Sequence, residues 1–169
     1  MKIGKGAIIG LIGGLLGLVG VFLPWVTASA LGVTISVPGA CLAGIGNIDV
    51  GGIPIPCSTA ASGEGSIYVY GILAFSILGL IFVLLGKRVT AILALVFGLL
   101  DVILAGVAMA RLASLLPAAA GASLGYGIIL CIVGGILLLL GSVLAMGDAK
   151  KAMMAPAPMM APPPMPPPP

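Results

Sequence analysis

Asp101 stands in the middle of FGLLDVILAG, one of the most apolar stretches of the chain, and is the first residue whose chemistry needs explaining. The other acids are Asp49, Glu64 and Asp148, and no two of the four lie close in sequence. Paired-carboxylate chemistry needs two acids flanking one bond, and a Ser-His-Asp relay needs an imidazole. The chain has no histidine, so it has no imidazole metal ligand and no histidine base. Its glycines sit inside apolar runs rather than in a phosphate-cradling G-x-x-x-x-G-K-[ST] string. The reading is therefore a non-enzymatic protein with no catalytic residues, no metal site and no cofactor.

The remaining reactive residues are three cysteines and a set of methionines. Cys41 and Cys57 fall in one loop and pair as a disulfide if that loop faces an oxidising compartment; two free thiols are the alternative. Cys131 lies in an apolar run and reads as a small core residue. The segment APAPMMAPPPMPPPP is low-complexity, and its prolines favour an exposed polyproline-type coil that an aromatic groove on a cytoplasmic partner could take. Thioethers suit Cu(I), but nothing else in the chain supports a copper role for Met153, Met154, Met159, Met160 and Met165.

The elements that hold these residues follow from composition. Of the 169 residues 61% are hydrophobic and 7% charged, with a mean hydropathy of +1.36. A soluble domain is about one quarter charged, and a chain this short has too little interior for so many apolar side chains. Lipid is the solvent such a composition fits. About 20 apolar residues cross a bilayer as a helix, and four stretches qualify: Gly6–Val26, Ile67–Leu85, Val89–Ala110 and Gly125–Met146. None alternates as a barrel strand does. The expected fold class is an all-α membrane protein: a four-helix transmembrane bundle over residues 1–151, a small outer loop (27–66) with β content, and a disordered Pro/Met-rich cytoplasmic tail (152–169).

Lys2, Lys5, Lys87, Arg88, Lys150 and Lys151 flank one side of these spans and Arg111 the other, which places both ends of the chain in the cytoplasm. The net charge of +3 reflects this flanking, not a nucleic-acid surface. MKIGKGAIIG followed by Ala28-Ser29-Ala30 also reads as a signal peptide cleaved after Ala30. Against cleavage, the apolar run is longer than a usual signal core, and Trp25 sits where an interfacial aromatic anchor belongs.

Helices in lipid associate through small residues that let backbones approach. Gly6, Gly10 and Gly14 form one such series in the first span, and Gly13 and Gly17 form another. Gly127, Gly134 and Gly141 lie seven apart in the fourth. These faces pack within the chain, or one is left for a homo-oligomer or other membrane subunits. In the loop, Leu31–Val37 alternates as a strand, and Ile53–Pro56 reads as an edge strand or polyproline segment.

A first span ending FLPWVT (Leu23, Pro24, Trp25), a cysteine-paired outer loop and three further spans resemble the claudin-like tetraspan architecture. The resemblance lies in topology, because the family's Gly-Leu-Trp before its cysteine pair is missing and the cysteines are spaced differently. It implies a small disulfide-tied sheet in the first outer loop that mediates lateral association.

Within the bundle, Asp101 shares a helix face with Ala94, Gly98 and Ala105, so it points at protein rather than lipid. Ser76 sits at similar depth on the neighbouring hairpin helix, within reach of a hydrogen bond. Two roles follow: a polar clasp between helices, or an intramembrane carboxyl used by a small transporter or channel subunit.

Overall fold

The computed structural model describes residues 4–30, 32–57, 65–85, 88–116 and 122–154. Lys2, Glu64, Lys87 and the Pro/Met-rich segment from Ala155 onward lie outside these residues. Four helices dominate: α1 (Lys5–Phe22), α2 (Gly65–Leu85), α3 (Arg88–Leu115) and α4 (Tyr126–Met154). Each contains a window long and apolar enough to cross a membrane, the layout of a multi-pass membrane protein.

The helices are inside out by the standard of a soluble bundle. On α1 the buried positions are Gly6, Gly10, Gly13, Gly14, Gly17, Gly20 and Val21, while Ile8, Ile12, Leu15, Val19 and Phe22 are each about half exposed. On α3 the buried face is Ala91, Ala94, Gly98, Asp101, Ala105 and Ala108. Water would drive the large aliphatic side chains inward. Only an apolar solvent leaves them outside, with small residues at the contacts. α1 packs most extensively on α4 and also on α2, and α3 packs on α4 and α2, so α1 and α3 stand diagonally across the bundle.

The expectation of an all-α fold needs correction. Five short strands form one antiparallel sheet at one end of the bundle: β1 (Pro24–Ala30), β2 (Val33–Pro38), β3 (Asn47–Val50), β4 (Ile53–Pro56) and β5 (Ala122–Leu124), in the order β4-β3-β2-β1-β5. Four come from the segment between α1 and α2, and the fifth from the segment between α3 and α4. Gly51 and Gly52, both at positive φ, make the two-residue turn that joins β3 to β4. Ile53–Pro56 is thus an edge strand.

The first span is also shorter than its apolar run. The helix stops at Phe22 because Pro24 bars the preceding residue from helical geometry, and Pro24–Val26 open β1 instead. At the other extremes, α3 runs past Arg111 to Leu115 and α4 runs to Met154, which takes residues 152–154 out of the expected tail. The triplet Ala28-Ser29-Ala30 lies in β1, between β2 and β5.

Candidate functional site

The glycine rows seat the helices. Gly6, Gly13 and Gly20 of α1 lie against Gly141, Gly134 and Gly127 of α4, stepping by seven residues on both helices in opposite directions. A Cβ on Gly13 would stand 2.6 Å from the Gly134 carbonyl oxygen, and one on Gly127 would stand 2.7 Å from the Gly20 carbonyl oxygen. This is backbone-to-backbone packing. The other row, Gly10, Gly14 and Gly17, receives Val83, Leu80 and Ser76 of α2. Both glycine faces of α1 are therefore filled within the chain. Packing within the chain is the first of the two uses the sequence left open.

Gly17 is where the second row meets polar chemistry. Asp101 is 1% exposed, and the Ser76 hydroxyl donates to its Oδ2 at 2.9 Å. A Cβ on Gly17 would lie 2.8 Å from Ser76 Oγ and 3.4 Å from Asp101 Oδ2. The Ser–Asp pair thus occupies the space that glycine leaves open. From α4, the buried Cys131 thiol donates to the Gly17 carbonyl at 3.5 Å. All four helices contribute to one small polar cluster. Its remaining feature is Asp101 Oδ1, which is buried and accepts no hydrogen bond among the described residues.

Ser142, the other buried hydroxyl among the described residues, turns back to the Leu138 carbonyl at 2.7 Å and takes no part in this cluster. Asp101 lies ten residues from Arg111 and thirteen from Arg88, about 15 and 20 Å along the axis, hence near the middle of the span. A charged Asp there costs about 2.5–3.5 kcal/mol on insertion scales.

At the sheet end, Cys41 and Cys57 form a disulfide across a sequence separation of 16. It ties a short 3₁₀ turn (Gly39–Ala43), which follows β2, to the end of β4. Trp25, expected as an exposed interfacial anchor, is a buried side chain. It is buried among Val21, Val69, Ile72 and Ile128, its indole faces Gly39, and its Nε1–H donates to the Gly20 carbonyl at 3.0 Å. That bond caps a carbonyl near the end of α1 and pins the first strand to the bundle. Phe22, Tyr70 and Tyr126, at the sheet ends of α1, α2 and α4, are the exposed aromatics among the described residues.

The sheet has two chemically opposite faces, because paired residues share a face and successive residues alternate. One face carries Val26 and Ala28 of β1, Val33, Ile35 and Val37 of β2, Ile48 and Val50 of β3, Ile53 and Ile55 of β4, and Ala122 and Leu124 of β5. The other carries Thr27, Ser29, Thr34, Ser36, Asn47, Asp49 and Ser123, with Pro54 and Pro56 at the edge. On this polar face Thr27 bonds Ser123 at 2.8 Å and Ser29 bonds Thr34 at 3.3 Å. No side chain of the apolar face is buried, and Ile53 is 67% exposed.

The sequence reading missed this face for a local reason: the start of β1, Pro24–Val26, falls inside the first apolar span, and β5 falls in a link between spans. The register of VTISVP with NIDV and IPIP contained the signal. Among the described residues no three His, Cys, Asp or Glu side chains gather as a metal site would require. No protein-family profile matches the chain, and no curated protein is detectably similar to it.

Proposed function

We propose that this chain is a non-enzymatic integral membrane protein of the cell membrane that associates laterally through its disulfide-tied sheet, as a structural or accessory component of a membrane assembly. The observation that carries this reading is the apolar sheet face. A sheet buries such a face against a second layer, and here Val33, Ile35, Ile53 and Ile55 are left exposed while the rest of the face is half-buried. The face bears no charge, so a second copy of the chain, presenting the same surface, is an adequate partner.

Association by face rather than by edge is favoured by β4. The Cys57 amide donates to the Gly46 carbonyl, so the amides of Ile55 and Ile53 also point toward β3. The outward positions are Pro54 and Pro56, which have no N–H to offer another strand. The basic residues flanking the spans support an orientation with the sheet outside and the opposite end of the bundle in the cytoplasm. A disulfide in the sheet suits that side. A sheet tied by a disulfide and built mainly from the first loop is also what the claudin-like tetraspan resemblance implies.

The test is cysteine cross-linking in native membranes with a short bismaleimide. Ile35→Cys places a thiol on the apolar face, and Thr34→Cys places one on the polar face of the same strand. Dimers from the first and not the second support the reading. Equal yields, or none from either, refute association through this face.

A further inference from the structure

We propose that Asp101, with Ser76, forms a binding site for one small monovalent cation, a proton or Na⁺, in the middle of the bundle. A clasp between α2 and α3 needs only one acceptor for the Ser76 hydroxyl, and Oδ2 supplies it. A neutral Asn would serve that purpose with less desolvation. The chain instead carries a carboxyl whose second oxygen is buried without a hydrogen-bond partner among the described residues.

Among the described residues no basic side chain fills that role. α1 offers Gly17 at this level, α2 offers Ser76, and α4 offers the Cys131 thiol, which is directed to the Gly17 carbonyl. Arg111 and Arg88 stand about 15 and 20 Å away along α3, and Lys5 stands about 18 Å from Gly17 along α1. A positive charge at Oδ1 must therefore come from solution. One carboxylate balances one positive charge, and a divalent ion would leave net charge in lipid, so the ligand is monovalent. The same absence of a Cβ at Gly17 that seats the Ser76 hydroxyl keeps that hydroxyl free of steric obstruction beside the carboxyl.

This inference rests on the helices being embedded in lipid and is independent of association through the sheet. The experiment uses the full chain in phosphatidylcholine vesicles and dicyclohexylcarbodiimide, a membrane-soluble reagent that modifies a carboxyl carrying a proton. Labelling is located by peptide mass. The expected result is modification of Asp101 that falls about tenfold per pH unit above the midpoint of a single titration. If Na⁺ is the ligand, NaCl slows labelling at fixed pH relative to choline chloride; pH dependence without that protection assigns the site to the proton. Ser76→Ala moves the midpoint or weakens Na⁺ protection while helical circular dichroism is retained. Labelling indifferent to both pH and Na⁺, or no labelling of Asp101 in intact vesicles, overturns the proposal. Either failure leaves the cross-linking test of the sheet unaffected.

Discussion

Gly13→Ala tests the packing of α1 on α4 with the smallest possible change. The added Cβ would lie 2.5 Å from the Leu138 amide nitrogen and 2.6 Å from the Gly134 carbonyl oxygen, both backbone atoms. Ordinary contact needs about 3.5 Å, so the helices must separate by roughly 1 Å. No rotamer change relieves the clash. A gap of that size forfeits a quarter to a half of the dispersion energy of the contacts it opens, and in lipid dispersion is a main source of helix association. Overpacking of this kind costs about 1–3 kcal/mol, and the upper end is expected because Gly6 and Gly20 are drawn away from α4 together with Gly13.

Alanine also favours the helix by about 1 kcal/mol, and Gly106→Ala on α3 isolates that gain because a Cβ there meets nothing within 4 Å. Gly14→Ala is the third comparator. Its Cβ would meet only the Leu80 side chain, at 3.2 Å, which can move. Equilibrium unfolding in mixed micelles, followed by circular dichroism, should rank stability as Gly106→Ala, then Gly14→Ala, then Gly13→Ala. The first and last should differ by about 2–3 kcal/mol. A Gly13→Ala protein as stable as Gly106→Ala would refute the backbone-to-backbone packing of α1 on α4.

Ser76→Ala removes the donor to Asp101 Oδ2 and should destabilise the bundle by about 1–3 kcal/mol in the same unfolding assay, because the oxygen stays buried. Asp101→Asn keeps an acceptor for Ser76 and should fold normally by chromatography and circular dichroism while losing carbodiimide labelling of the peptide that contains residue 101. Cys41→Ala should release about 3 kcal/mol of loop constraint and open the sheet to proteolysis without loss of helical signal. Trp25→Phe retains most of the packing but loses the 3.0 Å bond to the Gly20 carbonyl, a cost of about 1 kcal/mol in the unfolding midpoint. Pro54→Ala restores an outward N–H on β4 and should raise aggregation in detergent, measured by light scattering.

Much of the bundle was legible in the residues themselves, because lipid imposes one rule on every span: backbone bonds close within the helix, and apolar side chains face out. The four apolar runs and the level of Ser76 beside Asp101 follow from counting residues along helices of known pitch, but the α1 glycines regroup: Gly6 joins Gly13 and Gly20 against α4, and Gly17 joins Gly10 and Gly14 against α2. Helix ends were less accessible. Pro24 stops α1 early, but Arg111 does not stop α3, because a charge can remain on a helix that continues past the lipid, whereas a proline removes the backbone geometry itself.

What composition could not determine is which surfaces meet. Two glycine rows on α1 permit either internal packing or a partner, and only the positions of α4 and α2 show both rows filled. Trp25 is amphipathic and suits an interface equally well by sequence, yet the turn at Gly39 gives it a buried seat. The sheet depends on pairing between segments almost a hundred residues apart, such as Thr27 with Ser123, and no local pattern encodes that register. Its apolar face exists only once five short strands, each too brief to stand alone, are aligned by the bundle beneath them.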